Sequence, residues 1–203
     1  MDGTGLVGVG ASAGGVEALL ELVEGLAADL PLALLVVLHQ APTAPTVLPD
    51  ILDRRCALDV VAARDGDPLR AGRVLVAPPD RHLHVDDGHV RLSPDPRGSP
   101  HRPSVDVLFH SLAVAAGPLA TGVVLSGMLD DGAVGLAEIV DHGGTALVQD
   151  PDDALHPGMP RAALGRVPDA LVVRPAMIGA ALAEMAATAP RPEDDVDGGS
   201  RTR

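Results

Sequence analysis

The stretch that most constrains the fold is residues 6–15, where an apolar segment runs directly into a glycine-rich turn. The apolar segment predicts a short buried strand, and the turn holds a single hydroxyl, that of Ser12, among small residues. After Gly15, apolar residues recur at helical spacing with glutamates on the opposite face, which predicts a surface helix. The segment therefore predicts a strand–turn–helix unit that presents Ser12 beside the free N–H groups of a helix N-terminus.

A second apolar run, Leu32–Leu38, is continuous rather than alternating, which is typical of strands buried on both faces of a parallel sheet. Further strands are predicted at 59–62, 73–77, 121–125, 145–149 and 170–173, and helices at 46–55, 105–116, 133–141, near 158 and at 175–188. Residues 82–85 and 89–92 predict a β-hairpin around a glycine-containing turn, and Ser104 is the predicted N-cap of the helix at 105–116. This alternation predicts an α/β fold: a doubly wound, mostly parallel sheet with helices on both faces and an inserted β-hairpin.

The chain has 203 residues, a length that suits one domain with its own core. We expect this domain to span residues 1–188. Residues 189–203 are rich in Pro, Asp, Gly and Ser and predict a disordered polar tail.

Charge and cysteine usage exclude several classes of function. The formal net charge of −13 argues against nucleic acid as a partner, because binding to phosphates needs a basic surface. It equally disfavours anionic membranes, and no apolar run is long enough to insert into a bilayer. The single cysteine, Cys56, excludes an internal disulfide and fits a reducing compartment. We therefore expect a cytoplasmic protein.

Reactive side chains follow three of the predicted strands. Ser12 follows the first strand, His39 the second, and Asp131 lies in the loop after the strand at 121–125. In open α/β sheets, chemistry gathers at the carboxyl ends of the strands. A hydroxyl, an imidazole and a carboxylate at these positions are the parts of a nucleophile, its base and the group that orients the base. Taken singly, each residue has an ordinary structural explanation, as a helix cap, a polar strand end or a turn.

A dinucleotide site is the main alternative for the glycine-rich turn. Gly8, Gly10 and Ala13 match the G-x-G-x-x-G/A pattern. The acidic residue expected at the end of the second strand is missing, and His39 stands there instead. The eight histidines raise the question of a metal, but no zinc-type spacing accompanies them. His82, His84, His101 and His110 are therefore interpreted as surface or cleft-lining residues, and no metal is expected.

As an ordered set, the motifs resemble the catalytic domain of the bacterial chemotaxis protein-glutamate methylesterase, a family that also deamidates glutamines. The resemblance covers roughly residues 5 to 185. The motifs that carry it are GASAGG (10–15), LH (38–39), ARDG (63–66), GRVLVAP (72–78), HL (82–83), HRPSVDVLF (101–109), SGM (126–128), DGA (131–133), QD (149–150) and GMP (158–160).

The resemblance implies a role for each residue at the three strand ends. Ser12 would attack the γ-methyl ester of a glutamate in a chemoreceptor-like protein. His39 would take and return the proton, and Asp131 would hold the imidazole. The resemblance implies no metal or organic cofactor. The water that hydrolyses the acyl-enzyme would come from solvent.

The resemblance also implies residues around the reacting atoms. Backbone N–H groups would hold the oxyanion, with Met128 and the turn residue Ala13 as candidates. Arg102 would line the substrate cleft, although a surface ion pair explains an arginine equally well.

Three positions depart from the family pattern. Ala13 replaces the usual threonine, Gln40-Ala41 replaces Met-Pro, and Leu129 stands where a glycine is common. Ala13 and Leu129 favour an alternative interpretation, a catalytically weak module that binds a receptor or a partner enzyme through the same cleft. The family enzyme also carries an N-terminal receiver domain, for which this chain has no room before its first strand. We therefore expect constitutive activity, control by a separate regulatory protein, or a relative that acts outside flagellar chemotaxis.

Overall fold

The computed structural model describes residues 4–94 and 101–188. Seven strands form one sheet in which every pair is parallel, in the order β3-β4-β2-β1-β7-β8-β9. These strands are β1 (Gly5–Ala11), β2 (Leu32–Leu38), β3 (Asp59–Ala62), β4 (Arg73–Val76), β7 (Ala120–Val124), β8 (Thr145–Gln149) and β9 (Leu171–Val173). A separate antiparallel hairpin pairs β5 (His82–Asp86) with β6 (His89–Ser93). The predicted parallel sheet and inserted hairpin are both confirmed.

Helices cover both faces of the sheet. They are α1 (Gly15–Glu24), α2 (Leu48–Asp53), α3 (Val105–Ala116), α4 (Ala133–Asp141), α5 (Gly158–Arg166) and α6 (Pro175–Thr188). The apolar residues of α1, α2 and α6 form one core cluster with one face of the strands. Those of α3, α4, α5 and the hairpin form the other. Alternate residues of the central strands point into alternate clusters, so their continuous apolar runs are buried on both sides.

Element boundaries differ from the sequence prediction by only a few residues. The strand predicted at 121–125 is β7, which begins and ends one residue earlier, and α2 is shorter than the predicted helix at 46–55. Pro49 lies in the first turn of α2, where its missing N–H costs no helical hydrogen bond. The predicted tail at 189–203 lies outside the described residues, so its disorder stays a prediction. Nowhere in the described part of the chain is a helix long and apolar enough to cross a membrane.

The glycines of β1 serve the packing of the sheet against α3. A Cβ atom at Gly10 would lie 2.2 Å from Cγ1 of Val105, and one at Gly8 would lie 2.5 Å from Cδ1 of Leu112. Both glycines are therefore needed for close contact between helix and strand. This packing explains the match to the dinucleotide pattern without a phosphate ligand.

The strand order places a crevice at the carboxyl end of β1. From β1 the sheet extends through β2 on one side and through β7 on the other. At such a switch point, the loops that follow neighbouring strands diverge to opposite faces and leave an opening. The loops that carry Ser12, His39 and Asp131 follow β1, β2 and β7.

Candidate active site

Ser12 and His39 lie side by side because their strands are in register. Ala11 is paired with Leu38 at the ends of β1 and β2, and the His39 N–H donates to the Ala11 carbonyl at 3.0 Å. Ser12 directly follows Ala11 and His39 directly follows Leu38, so the two residues lie at the same edge of the sheet. The predicted juxtaposition of these two strand ends is present in the structure.

The Ser12 turn is tied to the loop after β7. The Ser12 N–H donates to the Ser126 carbonyl at 2.9 Å, and the Ser126 hydroxyl donates to the Ala13 carbonyl at 2.8 Å. Gly127 allows this approach, because a Cβ atom there would lie 2.0 Å from Sδ of Met159 and 3.0 Å from Cβ of Ser12. The loop that leads to Asp131 is thus held against the turn that carries Ser12.

Asp131 binds the imidazole of His39. Its Oδ2 lies 2.7 Å from His39 Nε2, and only 6% of the Asp131 surface is exposed. Burial by itself raises the pKa of Asp131, but the His39 hydrogen bond and the N–H groups of Val105 and Asp106 outweigh it and lower the pKa to about 2. The carboxylate is therefore ionised at neutral pH and accepts hydrogen bonds only. The hydrogen bond to this carboxylate therefore requires a proton on His39 Nε2, which leaves Nδ1 as the ring nitrogen that can take a proton.

The Ser12 hydroxyl is not yet engaged with this base. Within residues 4–94 and 101–188, no hydrogen bond joins Ser12 Oγ to either ring nitrogen of His39. Bonds of this kind are often long before substrate binds and shorten in the complex. The structure therefore brings Asp131 and His39 into contact and places Ser12 next to them.

The sequence did not reveal the contact between two imidazoles at this site. The ring of His101 stacks on that of His39, with centroids 4.3 Å apart and an interplanar angle of 12°. His101 was predicted only to line a cleft or the surface. Because the two histidines are far apart in the chain, no local pattern could have paired them. Among the residues that the structure describes, no group of three His, Cys, Asp or Glu side chains is arranged to hold a metal ion.

Two backbone N–H groups near Ser12 have no acceptor among residues 4–94 and 101–188. Neither the N–H of Ala13 nor that of Met128 donates a hydrogen bond within the described parts of the chain. Ala13 directly follows Ser12 in the chain. Met128 directly follows Gly127, the residue at which a Cβ atom would lie 3.0 Å from Cβ of Ser12. These groups can donate to an oxygen that becomes negative during acyl transfer.

Arg102 is held in an ion pair. Its Nε and Nη2 lie 2.7 and 2.6 Å from Oδ1 of Asp80, and its Nη1 donates to the carbonyl of Pro94. The ion pair is the alternative that the sequence left open. A contact between Arg102 and a substrate stays a prediction.

The Ser104 prediction was half right. Ser104 is the N-cap residue of α3, but its hydroxyl makes no bond to that helix. It donates instead to Oδ1 of Asp131 at 2.9 Å, while the N–H groups of Val105 and Asp106 donate to the same carboxylate at 2.8 and 3.1 Å. Asp131 satisfies the first N–H groups of α3 more strongly than a hydroxyl could, because its acceptor is charged.

The buried position of Asp106 makes stability depend on pH. Burial and the nearby Asp131 charge raise the pKa of Asp106 from 3.8 to about 6, against the lowering effect of N–H groups from Gly135 and Gly132. Between about pH 4 and 6, the folded protein therefore keeps a proton on Asp106 that the unfolded chain has already released. The stabilisation that this proton gives the folded state is lost as the pH rises through that range.

We expect Asp106→Asn to raise the free energy of unfolding at pH 7.5 by on the order of 1 kcal/mol, a modest gain because partial exposure screens the charge. The gain disappears at pH 4, where the wild-type carboxyl is neutral. Urea unfolding of both proteins at the two pH values measures it. An equal difference between variant and wild type at both pH values would contradict the assignment.

Leu129 occupies a backbone conformation that disfavours its side chain. Its φ is +65°, and 66% of its surface is exposed. A left-handed conformation costs a non-glycine residue roughly 1–2 kcal/mol. We expect Leu129→Gly to leave the free energy of unfolding unchanged or to raise it by up to about 1 kcal/mol, because relief of strain offsets the greater backbone freedom of glycine.

Leu155 is the matched control for this prediction. It is equally exposed, at 68%, and its φ is negative. Leu155→Gly should therefore lose at least about 0.5–1 kcal/mol, through backbone entropy and the loss of its packing beside Gly14. Urea unfolding compares the two variants, and equal losses would refute the strain at Leu129.

Comparisons with known proteins identify the family of this chain. The family model described as CheB methylesterase matches residues 7–182. A protein-glutamate methylesterase/protein-glutamine glutaminase from Anaeromyxobacter dehalogenans is 47% identical over 164 residues, which are 79% of this chain and 47% of that relative. A relative of the same name from Xanthomonas euvesicatoria is 41% identical over 162 residues, which are 78% of this chain and 45% of that relative. The chain thus spans about half the length of the curated relatives it matches.

The structural match covers nearly all of its counterpart. The crystal structure of the Thermotoga maritima CheB methylesterase catalytic domain superposes with a TM-score of 0.84 at 28% identity, covering 90% of this chain and 98% of that one. The family model's range, residues 7–182, includes the three loops that carry Ser12, His39 and Asp131. The chain belongs to the CheB methylesterase family.

Proposed function

We propose that this chain hydrolyses the γ-methyl esters of glutamate side chains in chemoreceptor proteins, through an acyl intermediate on Ser12. The observation that carries the proposal is the 2.7 Å hydrogen bond between Asp131 and His39 beside the Ser12 turn. The names of the relatives supply the substrate class, because they are protein-glutamate methylesterases. The chain's own geometry supports the role given to each residue in the steps below.

The first half-reaction releases methanol. Nδ1 of His39 takes the Ser12 proton as Oγ attacks the ester carbonyl, and the buried Asp131 carboxylate stabilises the imidazolium that forms. The N–H groups of Ala13 and Met128 donate to the carbonyl oxygen as it becomes negative. When the tetrahedral adduct collapses, the C–O bond to the methoxy group breaks and His39 returns the proton to that oxygen.

The second half-reaction restores the enzyme. Water attacks the acyl carbonyl, His39 takes its proton, and the proton passes to Ser12 Oγ as the acyl bond breaks. The products are a glutamate side chain and free Ser12. The two half-reactions together consume one water molecule and need no redox partner or cofactor. The same sequence of steps on a glutamine amide releases ammonia, which fits the glutaminase part of the relatives' name.

The alternative of a catalytically weak binding module is not favoured. It rested on Ala13 and Leu129, and neither removes a group that the reaction needs, since Ala13 acts through its backbone and Leu129 is exposed. The acidity of the chain, −13 overall, still argues against nucleic acid as a partner. We place the enzyme in the cytoplasm, with methylated receptors as substrates.

Release of methanol tests the proposal. The substrate is a receptor cytoplasmic fragment whose glutamates carry labelled methyl esters, and a parallel sample carries glutamines. We expect labelled methanol from the first sample. Ammonia from the second sample would show that the protein also deamidates glutamines. A well-folded protein that releases neither would overturn the proposal.

A further inference from the structure

The N-termini of α3 and α4 face each other, and each is capped by a carboxylate from the other side. Asp131, just before α4, accepts the N–H groups of Val105 and Asp106 in the first turn of α3. Asp106 in turn accepts the N–H groups of Gly132 and Gly135 on Oδ1, at 2.9 and 2.8 Å. Carboxylates are favourable at helix N-termini because the free N–H groups and the helix dipole are positive there.

The two caps form a closed ring of hydrogen bonds around Asp131. The N–H of Gly132 belongs to the peptide that joins Asp131 to Gly132, so the bond to Asp106 fixes the backbone directly after Asp131. The N–H of Asp106 donates to Oδ1 of Asp131, which fixes the side chain. Backbone and carboxylate of Asp131 are thus both held by one residue of α3.

We propose that Asp106 is a positioning residue, which holds the Asp131 carboxylate in the place where it binds His39. The proposal rests on the proposed function. The Asp131 carboxylate orients the His39 ring, so that Nδ1 can accept the proton of Ser12. A displacement of the carboxylate therefore changes the orientation of this base. A shift of about 1 Å at a positioning group can cost on the order of 100-fold in rate.

A glycine N-cap makes this arrangement necessary. Gly132 precedes α4 and has no side chain with which to cap its own helix. At Gly135 the two helices nearly touch, since a Cβ atom there would lie 3.0 Å from the Asp106 carbonyl oxygen. Removal of the Asp106 carboxylate therefore takes away the protein acceptor of two N–H groups, those of Gly132 and Gly135.

A second contact between the same helices provides a matched control. His110 lies one turn after Asp106 on α3, and its Nδ1 is 2.7 Å from Oε2 of Glu138 on α4. This pair is exposed, and neither side chain is among the hydrogen-bond partners of Asp131. Its removal changes the helix contact without touching the ring of bonds around Asp131.

The test compares four variants in ester hydrolysis and in the ring N–H proton signal of His39. We expect Asp106→Ala to lower kcat by about 10- to 100-fold, with KM within roughly twofold, and to weaken or abolish the His39 signal. Asp106→Asn keeps an acceptor oxygen and should stay within about threefold of wild type with the signal intact. His110→Ala should behave as wild type. If the alanine variant fails to fold, Asp106→Glu, which retains the charge but displaces the oxygens, should show the same loss.

Two results would overturn the proposal: full activity and an intact signal in Asp106→Ala or Asp106→Glu, or an equal loss in Asp106→Asn and Asp106→Ala. The proton signal separates this proposal from the function itself. Without any hydrolysis by the wild type the proposed function fails, while the comparison of His39 signals still decides whether Asp106 positions Asp131.

Discussion

Ser12→Ala should abolish ester hydrolysis and leave the fold intact. We expect kcat to fall by roughly 10⁴- to 10⁶-fold, the range of losses when a serine nucleophile is removed from a hydrolase. Stability should change by less than about 0.5 kcal/mol, because the Ser12 hydroxyl makes no hydrogen bond to a residue that the structure describes. The substitution of Ser12 is therefore expected to remove activity without lowering stability.

Methanol release and urea unfolding of the same preparation measure both effects. Ser111→Ala is the matched control, because it removes a hydroxyl between α3 and the hairpin, where Ser111 Oγ donates to the Leu108 carbonyl and accepts the Val85 N–H. That variant should lose about 1 kcal/mol of stability and keep its rate. Hydrolysis that survives Ser12→Ala would mean that another group is the nucleophile.

Asp131→Asn should damage both activity and stability. The amide is nearly isosteric, but its NH₂ group cannot accept hydrogen bonds. If the NH₂ group faces His39, it donates to Nε2 and moves the ring proton to Nδ1, which then cannot accept the proton of Ser12. The expected loss in kcat is on the order of 10⁴-fold, the scale of loss when a triad imidazole takes the wrong tautomer.

The stability loss at this position has a separate cause. Whichever way the amide turns, an N–H of Val105 or Asp106 meets another donor, and a buried unpaired group costs about 1–3 kcal/mol. Asp130→Asn is the matched control, because its side chain is exposed and adjacent in the chain. It should leave both the rate and the urea midpoint near wild type. An Asp131→Asn protein as stable as wild type would contradict the helix-capping role.

The fold was predictable because its signals are local. The continuous apolar runs at β1 and β2 indicated buried parallel strands, and the Asp86–Gly88 turn indicated the hairpin. Because carboxyl ends of parallel strands meet at one edge, the positions of Ser12, His39 and Asp131 after their strands were enough to bring the three together.

The rest of the site depends on contacts that no local pattern encodes. Ser104 has the residue type of an N-cap, and only the folded structure shows Asp131 taking its place. The stacking of His101 on His39 joins residues from distant parts of the chain. Asp106 lies in the first turn of α3, where an acidic residue is common and by itself indicates no further role. Its bonds to Gly132 and Gly135 arise from the packing of α3 against α4.

The central claim is that the His39–Asp131 pair activates Ser12 as a nucleophile, and covalent labelling tests it most directly. A fluorophosphonate reacts with activated serines, and trypsin releases residues 1–54 as a peptide in which Ser12 is the only serine. Mass spectrometry should find one phosphonyl group on Ser12 in the wild type, and far less in Asp131→Asn under the same conditions. An unlabelled Ser12 in well-folded wild-type protein, or equal labelling in the variant, would contradict the account.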